Sequence, residues 1–477
     1  MEIVTAVPQA YPGSSARDPY TSSGLQYLCE CHAPLSRRSI LMSMVGASGL
    51  GLLACRVQPG GAPREQPRAQ PVTITYLRYY TQQDRIEAEQ AVFQRLAQQY
   101  PGLKVDELTV AGTGEMIQHM TAAYAGGNAP DTWTTAPTIY HEYVQAGKLL
   151  QLNDLIKRDL DPKKYFWETM TEWESPAASG KYFGLTRDFV VTILYYNKGM
   201  FDAAGVPYPD TSWSYETITQ YGPRFARNQD SPEASEWAFI ADASHGNWDP
   251  AVRANGGQVL NKQRTRAVMD NSQPALETTE QWIAWNQQLR LSPPPGHGFY
   301  QSYQGLSVRN PFFTGRVAMY QALTGLIPQL LAAQNPLLHW DVTVVPRGKV
   351  RREAYGGPDG QVISKESKHP DMAWKIMLAF LEPESLPFHL AWGGIPFSRA
   401  ITELPAWRDR EPKGHTKVLL ESAQFFSAEF NINYSRWQGA KSSVLNEALR
   451  GTLGAREALR RMAEEINKIL VEAYATP

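Results

Sequence analysis

The sequence predicts an α/β fold in which helices flank a mainly parallel sheet. Three observations lead there. Strand-like and helix-like patterns alternate from residue 72 to residue 135, the spacing of a sheet whose strands are joined by helical crossovers. Phe189–Tyr196 is a nearly continuous apolar run, as a strand buried on both faces requires. The 477 residues are 43% hydrophobic and 19% charged, which excludes a disordered or fibrous chain and amounts to two to four domains' worth of sequence.

The elements follow in order. Val72–Tyr79 is β-branched and aromatic, hence a strand. Thr81–Asp84 offers a helix cap, and Phe93, Leu96, Ala97 and Tyr100 recur on one helical face until Pro101-Gly102 stops it. Val105, Glu107 and Thr109 suggest a second strand. Ile117, Met120, Thr121 and Tyr124 repeat the helical stripe up to Gly126-Gly127-Asn128. Thr132–Thr135 is a short strand, and a helix runs from about Ile139 to Ala146. After the buried strand, Trp282 and Trp285 share a helix face, and Ser292–Gly296 is a proline-stiffened loop. Asp341–Val345 is a strand and Met372–Leu381 a helix behind Asp371. Val444–Leu449 is a short helix. Ala455–Tyr474 is a terminal helix with Leu459, Met462, Ile466, Ile469 and Leu470 on one side.

Charge and apolar length narrow the partners. The chain has 46 Lys+Arg against 47 Asp+Glu, a net charge of −1, too little for a field that would hold nucleic acid. No stretch approaches the ~20 apolar residues of a membrane span. All three cysteines, Cys29, Cys31 and Cys55, lie in the first 55 residues. Arg37-Arg38 ahead of the moderately apolar stretch Ile40–Ala54 resembles a twin-arginine export signal, and Leu52-Leu53-Ala54-Cys55 resembles a bacterial lipobox. The segment 1–55 is therefore expected to be a lipoprotein signal region, with Cys55 the lipidated first mature residue. Such a chain keeps no second thiol for a disulfide or a Cys metal site. Residues 56–71, rich in Pro, Gly, Gln and Arg, read as a flexible tether.

No zinc-protease, serine-hydrolase, P-loop or complete dinucleotide-binding motif occurs, so neither a cofactor nor a metal is expected. A glycosidase needs only two carboxylates brought together by folding, so it stays open.

Several segments together resemble bacterial extracellular solute-binding proteins, family 1, of ABC importers. They are Gly127–Asp131 followed by Tyr143–Leu149; Tyr182–Leu185, Leu194–Lys198, Phe201, Ala204-Gly205 and Trp213; Phe313–Met319; and Tyr355–Gly357 with Ile363 and His369–Trp374. Thr186 departs from that family, which usually has proline there. The resemblance implies a two-lobed periplasmic-binding-protein-like fold, each lobe a mainly parallel sheet, with three hinge crossovers near Asp188, Arg316 and Gly357. The N-terminal lobe would comprise 72–187 and 317–356, the C-terminal lobe 188–316 and 357–477. It also implies a monomeric, non-enzymatic receptor, exported and lipid-anchored at the outer face of the cytoplasmic membrane. That receptor would capture a carbohydrate between the lobes and pass it to ABC permease subunits. A receptor for another polar solute, such as a polyol phosphate, and an exported carbohydrate-active enzyme are the alternatives.

The chain has 13 Trp and 23 Tyr. A pyranose stacks its C–H face on such rings while polar groups bond its hydroxyls. Trp282, Trp285, Trp340 and Trp374 are expected to pack inside. Trp248 and Trp392, beside Asn and Gly, are expected to be ligand platforms; Trp133 and Trp437 share that setting but suit the core. Adjacent Tyr195-Tyr196 could ligate ferric iron, but inside a buried strand they pack as core. Tyr80 is expected at a cleft rim, Asp188 as a hydroxyl acceptor, and Arg399 beside Trp392. Thr135, Tyr320 and Gly357 complete the expected ligand set.

Overall fold

A computed structural model describes residues 71–475 except 245, 337 and 411. The export motif, all three cysteines and the tether up to residue 70 lie outside the described residues. Among the described residues, nine strands form one sheet. They are β1 (Val72–Arg78), β2 (Leu103–Thr109), β3 (Thr132–Thr135), β4 (Gly184–Asn197), β5 (Met319–Leu323), β6 (Trp340–Thr343), β7 (Ala354–Ile363), β8 (Ile395–Pro396) and β9 (Phe426–Ser427). The order is β2-β1-β3-β7-β4-β5; β6 and β8 also pair with β4, and β9 with β7.

The sheet is mixed, which corrects the mainly parallel expectation. β1 runs parallel to β2 and β3, and β7 parallel to β9. β7 enters from far down the chain, antiparallel to both β3 and β4. β5, β6 and β8 also pair antiparallel with β4. The sequence pattern registers the local strand–helix alternation, whereas these returns are set by contacts remote in sequence.

Local chemistry accounts for the elements. In β1, Ile74, Tyr76 and Leu77 are buried. Helix α1 (Gln83–Gln99) buries Val92, Phe93 and Leu96 in a cluster with Phe380 and Phe388. Helix α2 (Gly112–Gly126) ends at Gly127, whose φ of 68° is easy only without a Cβ. Its buried face is Met116, Met120 and Ala123, whereas Ile117 is 43% exposed, so the expected stripe is rotated by about one residue. Helix α3 spans Pro137–Gln145.

β4 is buried on both faces, as its apolar run requires. Phe189, Val191, Ile193 and Tyr195 enter one apolar cluster, and Leu194 and Tyr196 another. The second cluster holds the stacked Trp282 and Trp285, with ring centroids 5.0 Å apart, and the terminal helix Ala455–Ala475. Beside it lies a helix over Tyr434–Leu449, much longer than expected. The strands that cross the middle of the sheet approach very closely. A Cβ on Gly360 would stand 2.3 Å from the Leu185 carbonyl oxygen and 2.5 Å from the Trp173 ring. Glycine is therefore what lets β7 lie against β4 at that point.

Candidate functional site

Parallel pairing places the carboxyl ends of β1, β2 and β3 along one edge, the place where α/β sheets present loops to ligands. The Val110 amide donates to the Arg78 carbonyl (3.0 Å) and the Gly112 amide to the Tyr79 carbonyl (2.9 Å), stitching the first two loops together. β7 reaches the same edge, where Thr135 pairs with Gly360. Beside it, the Tyr79 hydroxyl donates to Asp359 Oδ1 at 2.6 Å.

Across the ladder Asp359 faces Asp188, just beyond a register shift in β4 between Thr186 and Asp188. Two carboxylates in register repel unless cations intervene. Here two guanidinium groups do so. Arg187 Nε donates to Asp188 Oδ2 at 2.8 Å. Arg85, in the first turn of α1, brings Nη2 within 3.9 Å of Asp188 and 3.7 Å of Asp359. Burial, then Asp188, pushes the Asp359 pKa up from its ordinary value, while Arg85 and Arg187 pull against that. The Arg85 guanidinium carbon also lies 3.8 Å from the Tyr80 ring centre and 4.1 Å from that of Trp392.

Of the expected ligand residues, the fold gathers several. Tyr80, Asp188 and Trp392 meet around Arg85, and Thr135 lies at the same edge. Gly357 pairs with Val190 farther along β4 and β7, with open space where a side chain would stand. Trp392 is half-buried and closes the helix Leu386–Trp392.

The environments differ from expectation at five positions. Tyr80 is buried rather than at a rim, and its hydroxyl bonds Glu89. Thr135 is also buried. Asp188 has no exposure and its Oδ2 is held by Arg187, so it is a buried ion-pair member rather than a rim acceptor, with Oδ1 left without a hydrogen-bond partner. Trp248 is wholly buried in the core at the start of the helix Trp248–Ala254, its Nε1 3.3 Å from Thr279 Oγ1. It offers no face to a ligand; the neighbouring Asn and Gly suggested a loop. Arg399 is half-buried, donating to the Tyr165 carbonyl at 3.0 Å with its guanidinium 4.0 Å from the Phe166 ring centre.

Tyr320 belongs to a different group. It lies in β5 and pairs with Tyr195 of β4, and burial, then the charge of Asp242, pushes its phenol pKa up. Asp242 Oδ1 accepts from the Ser244 amide, the Ser244 hydroxyl and Asn247 Nδ2 at 3.0, 2.6 and 2.8 Å.

Sequence reasoning missed Tyr79, Arg85 and Asp359. Their signals were present: a second tyrosine beside Tyr80, an arginine one turn later, and an aspartate following Gly357-Pro358. Two cavities, of about 190 and 140 Å³, are lined by other residues, the smaller adjoining the Trp392 helix end through Leu390 and Gly393. The larger is lined by Asn197, Met200 and Phe225, the smaller by Leu331, Leu390 and Gly393.

The site thus has an indole face, an aspartate whose side chain keeps 16% exposure, a phenol, and open backbone at Gly357. The chain is similar to an arabinooligosaccharide-binding protein of Bacillus subtilis (strain 168), 24% identical over 77% of this chain and 86% of that protein. Its fold is similar to the sugar-binding protein MalE from Xanthomonas citri, with TM-score 0.71 and 17% identity over 85% of this chain and 98% of the other. It is also similar to an ABC substrate-binding protein from Listeria monocytogenes in complex with cycloalternan. There the TM-score is 0.67 and the identity 20%, over 84% and 100% of the two chains. The family model for bacterial extracellular solute-binding proteins matches residues 82–385, more than half of the sequence, and the chain belongs to that family.

Proposed function

We propose that the protein is the extracytoplasmic receptor of an ABC importer, that it binds a carbohydrate beside the β4–β7 crossing, and that it performs no chemistry on it. The observation that carries the reading is the half-buried indole of Trp392 beside Arg85, which also reaches Asp359, the acceptor of the Tyr79 hydroxyl. An indole face receives the C–H face of a sugar ring, and a carboxylate and a phenol bond its hydroxyls. The similarity to an arabinooligosaccharide-binding protein and to a receptor in complex with cycloalternan supports the same ligand class.

Two lobes are proposed, with β4 passing between them: its first half pairs with β7 and its second half with β5 and β6. These pairings favour grouping β5 and β6 with the second half of β4, and Gly360–Ile363 with β3 and the first strands, instead of the bounds expected from the sequence. Lobes joined this way close on a ligand as jaws. Delivery to a permease at the membrane fits the lipobox-like Leu52–Cys55, with Cys55 carrying lipid and residues 56–71 as tether. Among the described residues, no helix is long and apolar enough to cross a membrane.

Thermal-shift screening of the body from residue 72 against neutral oligosaccharides tests the reading. A ligand at 100 times its Kd adds about 2.7 kcal/mol of stability. Stabilisation by one sugar class, without new products on chromatography, is expected. No stabilisation by any sugar refutes the ligand class, and turnover refutes the receptor. Mass spectrometry of the native protein should find lipid on Cys55; an unmodified Cys55 refutes the anchor.

A further inference from the structure

Trp392 stands where a side chain has little to hold it. It is the last residue of its helix, and Gly393 follows with a φ of 78°. Its Nε1 is buried without a hydrogen-bond partner, so no donor–acceptor pair fixes the indole plane. Two other contacts define that plane. The pyrrole edge of the indole lies against the backbone of Gly394, where an added Cβ would come 2.7 Å from Trp392 Cδ1 and 2.9 Å from Nε1. One face carries the Arg85 guanidinium, whose carbon lies over the ring 4.1 Å from its centre.

Arg85 is itself 1% exposed and held from behind by Tyr80, 3.8 Å away. Its Nε and Nη2 make no hydrogen bond. Its edge is set instead by Asp188 on β4 and Asp359 on β7, at 3.9 and 3.7 Å. One flat cation therefore touches the platform, the loop after β1 and both strands that cross the middle of the sheet.

We propose that Arg85 is the positioning residue of the ligand platform: it fixes the plane of Trp392 for stacking and ties that plane to β4 and β7. The proposal rests on the reading of Trp392 as the carbohydrate platform. The property required is planarity as well as charge. A guanidinium presents two faces, one to Tyr80 and one to Trp392, while its edge meets two carboxylates; an ammonium supplies the charge without the faces. A purely electrostatic Arg85 would be replaceable by lysine, whereas a positioning Arg85 is not.

The test uses the full chain as wild type and as the Arg85→Lys, Arg85→Met, Trp392→Ala, Trp392→Phe and Arg85→Lys/Trp392→Ala variants. Three quantities are read: the melting temperature without sugar, the calorimetric Kd for whichever of maltotriose, arabinotriose or cycloalternan binds the wild type, and the emission of Trp392. That emission is the difference between each Trp392-bearing protein and its Trp392→Phe counterpart, including an Arg85→Lys/Trp392→Phe control. Arg85→Lys is expected to fold, to bind at least tenfold more weakly, and to change both intensity and wavelength of the Trp392 emission. Arg85→Met, which loses the charge as well as the plane, should bind no more tightly than Arg85→Lys. The double variant should bind within twofold of Trp392→Ala alone, because Arg85 acts through the indole. Wild-type affinity in Arg85→Lys overturns the proposal, as do losses that multiply in the double variant. Unchanged Trp392 emission overturns it too. If no sugar binds the wild type, the carbohydrate reading falls by itself. The emission arm, which needs no ligand, still decides whether Arg85 orients the indole.

Discussion

Replacing Trp248 by alanine separates a core tryptophan from a ligand platform. The indole has no exposure, belongs to the apolar cluster that contains Trp282 and Trp285, and places its Nε1 3.3 Å from Thr279 Oγ1. A buried aromatic side chain removes about 150–250 Å² from water, about 4–6 kcal/mol at about 25 cal/mol per Å². Measured truncations of buried Trp cluster at about 3–5 kcal/mol because the site partly relaxes. The lost bond to Thr279 adds about 1 kcal/mol at most. Trp248→Ala should therefore lower the free energy of unfolding by about 4 kcal/mol. A sugar that binds the wild type should bind the folded variant within twofold of the original Kd. Urea titration gives the first quantity and calorimetry below the unfolding transition the second. A stability loss under about 1.5 kcal/mol together with tenfold weaker binding would refute the reasoning.

Trp392→Ala should behave oppositely. Affinity should fall about 5- to 150-fold, from a stacking contribution of about 1–3 kcal/mol, while the apo melting temperature moves little because the ring is half-exposed. Gly360→Ala drives a Cβ into the Leu185 carbonyl and the Trp173 ring and should cost about 3 kcal/mol or prevent accumulation of folded protein. Gly357→Ala, with open space in front of it, should leave denaturation unchanged and weaken sugar binding; equal stability losses at both glycines would contradict the geometry. Burial, then Arg264, lowers the His141 pKa to about 3, and burial lowers that of His389 to about 4. Both rings are thus neutral in the fold, while the unfolded chain takes protons below about pH 6.5, so stability falls with pH from there down to the folded pKa values. Between pH 6.5 and 5 each should cost about 2 kcal/mol. His141→Gln should remove its share of that slope in urea titrations, and an unaltered slope would refute the assignment.

Much of this architecture is legible in local pattern. β1 to β3 with α1 and α2, the doubly buried β4 and the terminal helix follow from periodicity, because each buries a face its own residues define. β7 does not follow. Its Gly356, Gly357, Pro358 and Gly360 carry no local strand pattern, yet two of those glycines are there because Phe426, Trp173 and the Leu185 carbonyl crowd the strand. Its pairing with β3 and β4 was invisible locally, and with it the facing of Asp359 and Asp188. Trp248 and Trp392 sit in similar local settings; what distinguishes them is tertiary, a helix buried in one case and a helix end beside Arg85 in the other. Arg399 sits close to Trp392 in sequence, but the fold turns its guanidinium over Phe166.

The position of β7 between β3 and β4 also sets a schedule for biosynthesis. Thr132–Thr135 cannot acquire its second neighbour until Gly360–Ile363 has been made. At about 5–20 residues per second that interval is roughly 10–45 s, during which one side of β3 has no partner strand. A nascent chain of this topology carries its N-terminal half-sheet unfinished through the synthesis of more than two hundred further residues. Its exposure to aggregation is governed by elongation rate and by whatever shields that edge, more than by the stability of the finished protein.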